Sequence, residues 1–446
     1  MITASTCINF GTSKTNRQMS TTQKLIFLIS LSLFGSHFTS AQDQNFTLQA
    51  EYRLNPLYSH GYRIPMTEGR TAEGYIGQRT RVIMNYEKAG DMSSQIILQD
   101  LRAWGTYKNN GQAGNLSIFR AWFEKQIVPN LSVKLGRQGF IYGDQYILGG
   151  LNWGGNMAHD AALVKYEKKG FKAHLALAYN STGFTLEHVR YTYQNHKNMQ
   201  FLWLQKNTDK LSAAFVFLNR GLEEPDGSLE IRYDQTTGVN VGYQITEKLN
   251  LKGIYYHQFG QDTLGSSKKV NAFFYSAQAK FKPNKNIQFT LGTDVVSGTS
   301  TADAANPNYG ERNDFDILFG LRHGHFGYLD YFYTKLWPVS GLEDYYLKSN
   351  FKTGQRSSLD VDVHGFFSQA KISNETNTGT LDDYYGTELD LRWHYKQSDN
   401  TKVSLGFSHM WVTDTYLSYY DTDSEDGSST IYAVITVKPT FLNKSF

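Results

Sequence analysis

The sequence has 446 residues, one cysteine and a formal net charge of +3, with 19% charged and 15% aromatic residues. A single cysteine excludes a disulfide framework and a cysteine-based zinc site. A mean hydropathy of -0.47, with no apolar run near the roughly 18 residues of a spanning helix, excludes a helical membrane protein. The counts of Tyr (30), Phe (28) and Gly (39) against Pro (8) favour strands and argue against disorder.

At the front, Leu25 to Gly35 is an apolar stretch of 11 residues, preceded by Lys24 and followed by the small residues Thr39, Ser40 and Ala41. That order is the pattern of a secretory signal, with Met19 as the expected start and cleavage after Ala41. Eleven residues cannot span roughly 30 Å of hydrocarbon. Residues 1–41 therefore read as an extension plus export signal, and 42–446 as a single exported domain. Losing that segment removes Cys7, Lys14, Arg17 and Lys24 and no acid, so 44 basic residues fall to 41, equal to the 41 acids. Any preference for anions must then come from where the charges sit.

The exported part reads as short alternating strands. Phe46, Leu48, Ala50, Tyr52 and Leu54 alternate with Thr47, Gln49, Glu51 and Arg53; Leu389, Leu391, Trp393 and Tyr395 alternate with Glu388, Asp390, Arg392 and His394. A period of two puts each set on one face of a sheet. The pattern predicts 18 strands, near 45–54, 76–87, 93–104, 115–126, 130–138, 157–167, 170–180, 197–206, 210–219, 235–246, 248–259, 270–282, 285–296, 342–352, 357–367, 385–396, 401–412 and 429–441. Connections after even-numbered strands are tight and those after odd-numbered strands long, up to 297–341. An all-β, up-and-down antiparallel transmembrane barrel has that signature, with short periplasmic turns and long outer loops. Lipid leaves no open sheet edge, so the sheet must close. Tyr86, Trp104, Tyr179, Tyr255, Tyr395 and Trp411 are expected at strand ends as an aromatic girdle. At this size the lumen is too wide for side chains to fill, and inward positions are expected to be polar.

Arginines are the candidate functional groups. Arg79 and Arg81, Asp100 and Arg102, Arg120 with Glu124, Arg137, and Arg392 beside Glu388 and Asp390 are assigned to inward positions. Guanidinium forks suit carboxylate, sulfate and phosphate groups, and a ladder of them makes a path for anions. Between the fifth and sixth strands, a loop with seven glycines (136, 139, 143, 149, 150, 154 and 155) carries Asp144, Asn152 and Trp153 ahead of His159. Glycine allows close backbone approach, and the segment reads as an ordered loop folded into the lumen as a constriction.

The runs Gly136-Arg-Gln138, Tyr142-Gly-Asp-Gln145, Leu148-Gly-Gly-Leu-Asn-Trp153 and His159-Asp-Ala-Ala-Leu-Val-Lys-Tyr-Glu167 resemble the alginate-export family of outer-membrane barrels, in its Bacteroidetes-type form. Phe315 to Phe332 resembles that family's His- and aromatic-rich outer-loop segment. The resemblance implies a monomeric barrel of about 18 strands in the outer membrane, conducting anionic polysaccharide or similar solutes past arginines. It adds Asp160, Arg322 and His323 to the candidate site. Tyr146 stands where the family usually carries arginine, Asn156-Met-Ala158 precedes His159 where arginine is common, and Arg322-His-Gly-His325 replaces an Asn-His-Lys type of sequence. The loop thus carries fewer cations than the family pattern.

The expected function is a passive channel for anionic poly- or oligosaccharides, in contact with outer-membrane lipid and lipopolysaccharide, without cofactor, metal or nucleic acid. Competing readings are a general diffusion porin and a plugged structural or adhesive barrel. A TonB-dependent transporter is disfavoured, because a strand begins at about Phe46 and leaves no plug domain. A lipid hydrolase on the barrel wall would need Ser and His side by side; His257 and His409 show no serine partner by spacing. No P-loop or dinucleotide fingerprint is present.

Overall fold

The computed structural model describes residues 44–67, 69–106, 116–150, 157–184, 186, 189–191, 196–224, 230–262, 268–333, 338–374, 379–422 and 427–446. The export signal, Cys7, Asn152 and Trp153 lie outside the described residues.

The strands are β1 (Gln44–His60), β2 (Glu73–Lys88), β3 (Met92–Ala103), β4 (Ser117–Val128), β5 (Leu131–Gln138), β6 (His159–Lys168), β7 (Phe171–Tyr179), β8 (Asn198–Asn207), β9 (Leu211–Glu223), β10 (Ile231–Gln244), β11 (Leu249–Gln261), β12 (Lys269–Asn284), β13 (Ile287–Val296), β14 (Glu311–Arg312), β15 (Leu342–Lys352), β16 (Ser357–Phe367), β17 (Tyr384–Lys396), β18 (Thr401–Val412), β19 (Ser428–Val437) and β20 (Thr440–Ser445). Neighbours in sequence pair antiparallel, and β13 passes over the two-residue β14 to pair with β15. The sheet closes on β1, which pairs β2 along one edge and β19 and β20 along the other. β19 and β20 are one barrel strand broken at Pro439, which has no N–H to give the ladder and whose carbonyl accepts from Ala50 at 3.0 Å. The result is a closed barrel of 18 strands. β1 runs on through Pro56, beyond the end its alternation predicts, because its β2 ladder continues to Ser59.

One end of the barrel carries only tight turns. Lys169 and Gly170 alone join β6 to β7, both at positive φ (46° and 75°), as a two-residue hairpin turn requires. The start of β1 and the end of β20 meet there, with Gln44 and Phe446 exchanging backbone hydrogen bonds. The outward face is an apolar band that includes Val82, Ile96, Phe123, Leu177, Phe217 and Phe407. Such a band suits hydrocarbon, not water. Trp104, Tyr179, Tyr395 and Trp411 sit on this face near strand ends, whereas Tyr255 sits mid-strand.

The inward face departs from expectation over one sector. Between β6 and β12 it carries an apolar patch, with Leu163, Met199, Phe201, Trp203, Leu218 and Phe274 buried, among polar positions such as Asp234, Asn240 and Gln258. The described residues of two long connections fold into the barrel and cover it: those of loop A (139–158) bring Phe140, Tyr146 and Leu148, and those of loop B (297–341) bring Phe315, Phe319 and Phe332. Burial of these rings supplies a soluble-type core inside the barrel.

Candidate functional site

The site has two walls. The first is built on β1 to β4, where register sets the faces. Arg53 stands opposite Arg79 and Glu51 opposite Arg81; Arg81 in turn stands opposite Gln99. Glu51 pairs with Arg79, lies 3.7 Å from Arg81 and takes Lys438 at 3.0 Å. Arg81 also donates to Gln99 at 2.8 Å. A register slip between Ile97 and Leu98 puts both Phe119 and Arg120 inward. Arg81 and Arg120 then lie on the Phe119 ring, 3.9 and 4.2 Å from its centroid. Cation–π contact holds two like charges that would otherwise separate. Arg120 has no acidic partner among the described residues.

The second wall is the pair of inward loops. They bond to each other through a parallel bridge between Leu148 and Phe319 and through Leu321 N–H to Gln145 O at 2.8 Å. Loop A is tied to the barrel by Tyr146, whose hydroxyl donates to Asp294 at 2.6 Å, and by the ion pair of Asp144 with Lys252. Gly143, at φ 55°, lies against Asn240 and Trp203 with no room for a Cβ. Loop B turns at its tip through Gly324 and Gly327 (φ 81° and 78°). A Cβ on Gly327 would lie 2.5 Å from the Glu388 carboxylate. That carboxylate accepts from Tyr328 N–H at 2.5 Å and Leu329 N–H at 2.9 Å. Lys348 donates to the Gly324 and His325 carbonyls at 2.9 and 3.3 Å, and Arg392 donates to the Tyr328 hydroxyl at 2.5 Å. His325 stacks on Tyr146 at 4.2 Å, locking the two tips together. Burial and the nearby Lys348 charge bring the His325 imidazole down to about 4. Burial raises the Asp316 carboxyl, but the Arg220 guanidinium 2.8 Å away, the Leu318 N–H and the nearby Arg322 and Arg312 charges together outweigh it and hold it below the usual carboxylate range.

Arg79, Arg81 and Arg120 thus face the lumen as the sequence predicts, and Arg392 does too, held by Asp360 and Asp362 at 3.2 and 2.8 Å. Four assignments need correction. Asp100 and Arg102 alternate with the inward Gln99 and Leu101, so they point outward with Ile96 and Leu98 and pair with each other at 2.7 Å. Arg137 and Asp160 likewise share the outward face of β5 and β6 and pair at 2.8 Å. Near the long-loop end outward positions turn polar, so polarity there no longer reports the face. His159 is inward but buried, stacked on Phe140 at 4.8 Å. Asp144 sits at the loop A tip, Arg322 is 3.9 Å from Asp316, and His323 bonds Asp330 at 2.8 Å. Glu51, Arg53, Lys348 and Arg220 were missed; the parity of β1 already placed the first two on its polar face. The register also sets Ser429 beside His409, 2.7 Å apart. No carboxylate or amide orients the other ring nitrogen among the described residues, as a serine nucleophile's base requires.

The model of the Alginate export family matches residues 44–427. The chain belongs to that family. No curated protein matches. Among solved structures, the barrel is similar to OccAB1 of Acinetobacter baumannii (TM-score 0.59, 11% identity, covering 89% of this chain and 97% of that one). It is similar as well to OpdO of Pseudomonas aeruginosa (TM-score 0.58, 11% identity, 89% and 98%) and to OccK2 (OpdF) of the same organism (TM-score 0.54, 14% identity, 89% and 98%). At these identities the likeness is one of fold. Family and fold together make the chain an outer-membrane barrel of the channel type, with its tight turns on the periplasmic side and its long loops outside.

Proposed function

We propose that this barrel conducts anionic poly- or oligosaccharides, or comparable anionic solutes, by passive diffusion along the wall formed by β1 to β4. The observation that carries the reading is that Arg53, Arg79, Arg81 and Arg120 occupy contiguous inward positions around Glu51, with Lys438 also on that carboxylate. That excess of fixed positive charge sits where low-dielectric walls strengthen its field. Guanidinium donors suit a string of carboxylates passing by. The chain closes its own sheet, which supports a monomeric channel in contact with outer-membrane lipid.

The test is single-channel recording of the purified protein with mannuronate oligomers added. Current interrupted by the acidic oligomers and not by neutral maltooligosaccharides supports the reading. Uninterrupted current with both would make the barrel a general diffusion porin. The apolar core inside the barrel favours a second reading, a plugged structural barrel, which predicts no current at all.

A further inference from the structure

Beneath the joined loop tips, on the side away from the arginine wall, lies a cavity of about 690 Å³. Small-molecule sites occupy roughly 300–1,000 Å³. Its roof is Gly143 to Tyr146 of loop A with Gly324 and His325 of loop B, and its walls are inward residues of β11 to β13 and β15 to β17. Lys280, Gln288 and Asn350 stand close to the tight-turn ends of their strands, so the cavity is entered from the periplasmic mouth.

The charges in it are unevenly committed. Asp144 is paired with Lys252, and Asp360 and Asp362 share Arg392, which leaves one negative charge over, so that Lys280 and Lys348 make the lining positive by one. Among the described residues Lys348 hydrogen-bonds only backbone carbonyls, and it lies over the Tyr346 ring. Lys280, opposite Thr290 in the sheet, makes no hydrogen bond or ion pair among the described residues. Two ammonium groups without acid partners therefore remain in a cavity whose other lining includes the amides of Gln278 and Gln288. The Gln288 amide offers a donor and an acceptor side by side, and Gln278, whose NH2 group donates to the Tyr146 and Ser276 hydroxyls, offers its carbonyl, both suited to sugar hydroxyls.

We propose that this cavity is a saccharide site filled from the periplasm. An acidic sugar unit would place its carboxylate on Lys280 and Lys348 and its hydroxyls on Gln278 and Gln288. The proposal rests on the anionic-solute reading above but adds a place, separate from the arginines of β1 to β4, where the solute is held before the loops.

Calorimetric titration of the detergent-solubilised protein with a mannuronate disaccharide, and with maltose as the neutral probe, tests it. The acidic disaccharide should bind, maltose should bind at least tenfold more weakly, and Lys280→Gln should weaken the acidic sugar about tenfold. Gln278→Ala should weaken it several-fold, with both variants still heat-modifiable on gels as folded barrels. Equal binding of both sugars, or unchanged affinity in Lys280→Gln and Gln278→Ala, would overturn the proposal. Anion selectivity of the current reads the arginine wall alone, so selectivity without this binding would sink the cavity and spare the channel reading.

Discussion

The Tyr146 hydroxyl donates to the Asp294 carboxylate at 2.6 Å, joining a loop that leaves the barrel after β5 to a strand on its far side. Asp294 is buried and also accepts from the Tyr346 hydroxyl at 3.3 Å, with the Ser276 hydroxyl beside it. Tyr146→Phe keeps the ring stack on His325 and removes only the hydrogen bond. The loss should cost loop A about 1–3 kcal/mol. Hydrogen exchange at Gly149 and Phe319, whose N–H groups donate across the two loops to the Phe319 and Ile147 carbonyls, should speed up accordingly, and unchanged protection would show that the bond does not hold the loop.

Charge position, not charge count, should set ion preference. Arg81→Gln and Arg120→Gln remove lumen-facing guanidiniums, whereas Arg102→Gln and Arg137→Gln remove outward ones that are already paired. At about 8 Å and an effective dielectric near 20, each lumen charge is worth roughly 2 kcal/mol to a passing monovalent anion. The first two variants should lower chloride preference and the second two leave it intact. Equal loss in all four would place the selectivity elsewhere.

Salt should erode the same preference. The Debye length falls from about 10 Å at 0.1 M to about 3 Å at 1 M. Anion selectivity measured at 0.1 M KCl should therefore shrink sharply at 1 M. Selectivity unchanged with salt would point to a steric filter.

Acid should loosen the loop tips. His325 has an ordinary value of 6.5, brought down to about 4 where it is buried against Tyr146 and near Lys348. A group whose folded pKa lies below its unfolded one binds protons better when released. Its contribution is thus present above about pH 6.5 and lost as pH falls toward 4. At pH 5 the penalty for keeping it buried is about 2 kcal/mol. Proteolysis at loop B should be faster at pH 5 than at pH 7 in the native protein and insensitive to that change in His325→Phe.

The strand set was legible because lipid on one side and solvent on the other impose a period of two, and tight turns such as Lys169-Gly170 punctuate it. The inward arginines on β2 followed from that period. The outward placement of Arg102 and Arg137 did not, because near the outer rim both faces carry charge. Nor did the apolar patch inside β6 to β12: Phe201, Leu218 and Phe274 look like any strand residues until Phe315 to Phe332 is known to fold in and cover them. The glycines of loop A did signal an inward loop, and Gly143 shows why, since its backbone must pass between Asn240 and Trp203. The bonds from Glu388, Lys348 and Arg392 to loop B join positions 23 to 64 residues apart and leave no local signal.

The most direct measurement is the reversal potential of the reconstituted channel under a KCl gradient at low salt, for the native chain and for Arg81→Gln/Arg120→Gln. The native potential should lie on the chloride side of zero, and the double variant should move toward zero. A native potential at zero or on the potassium side would contradict an arginine-lined route for anions.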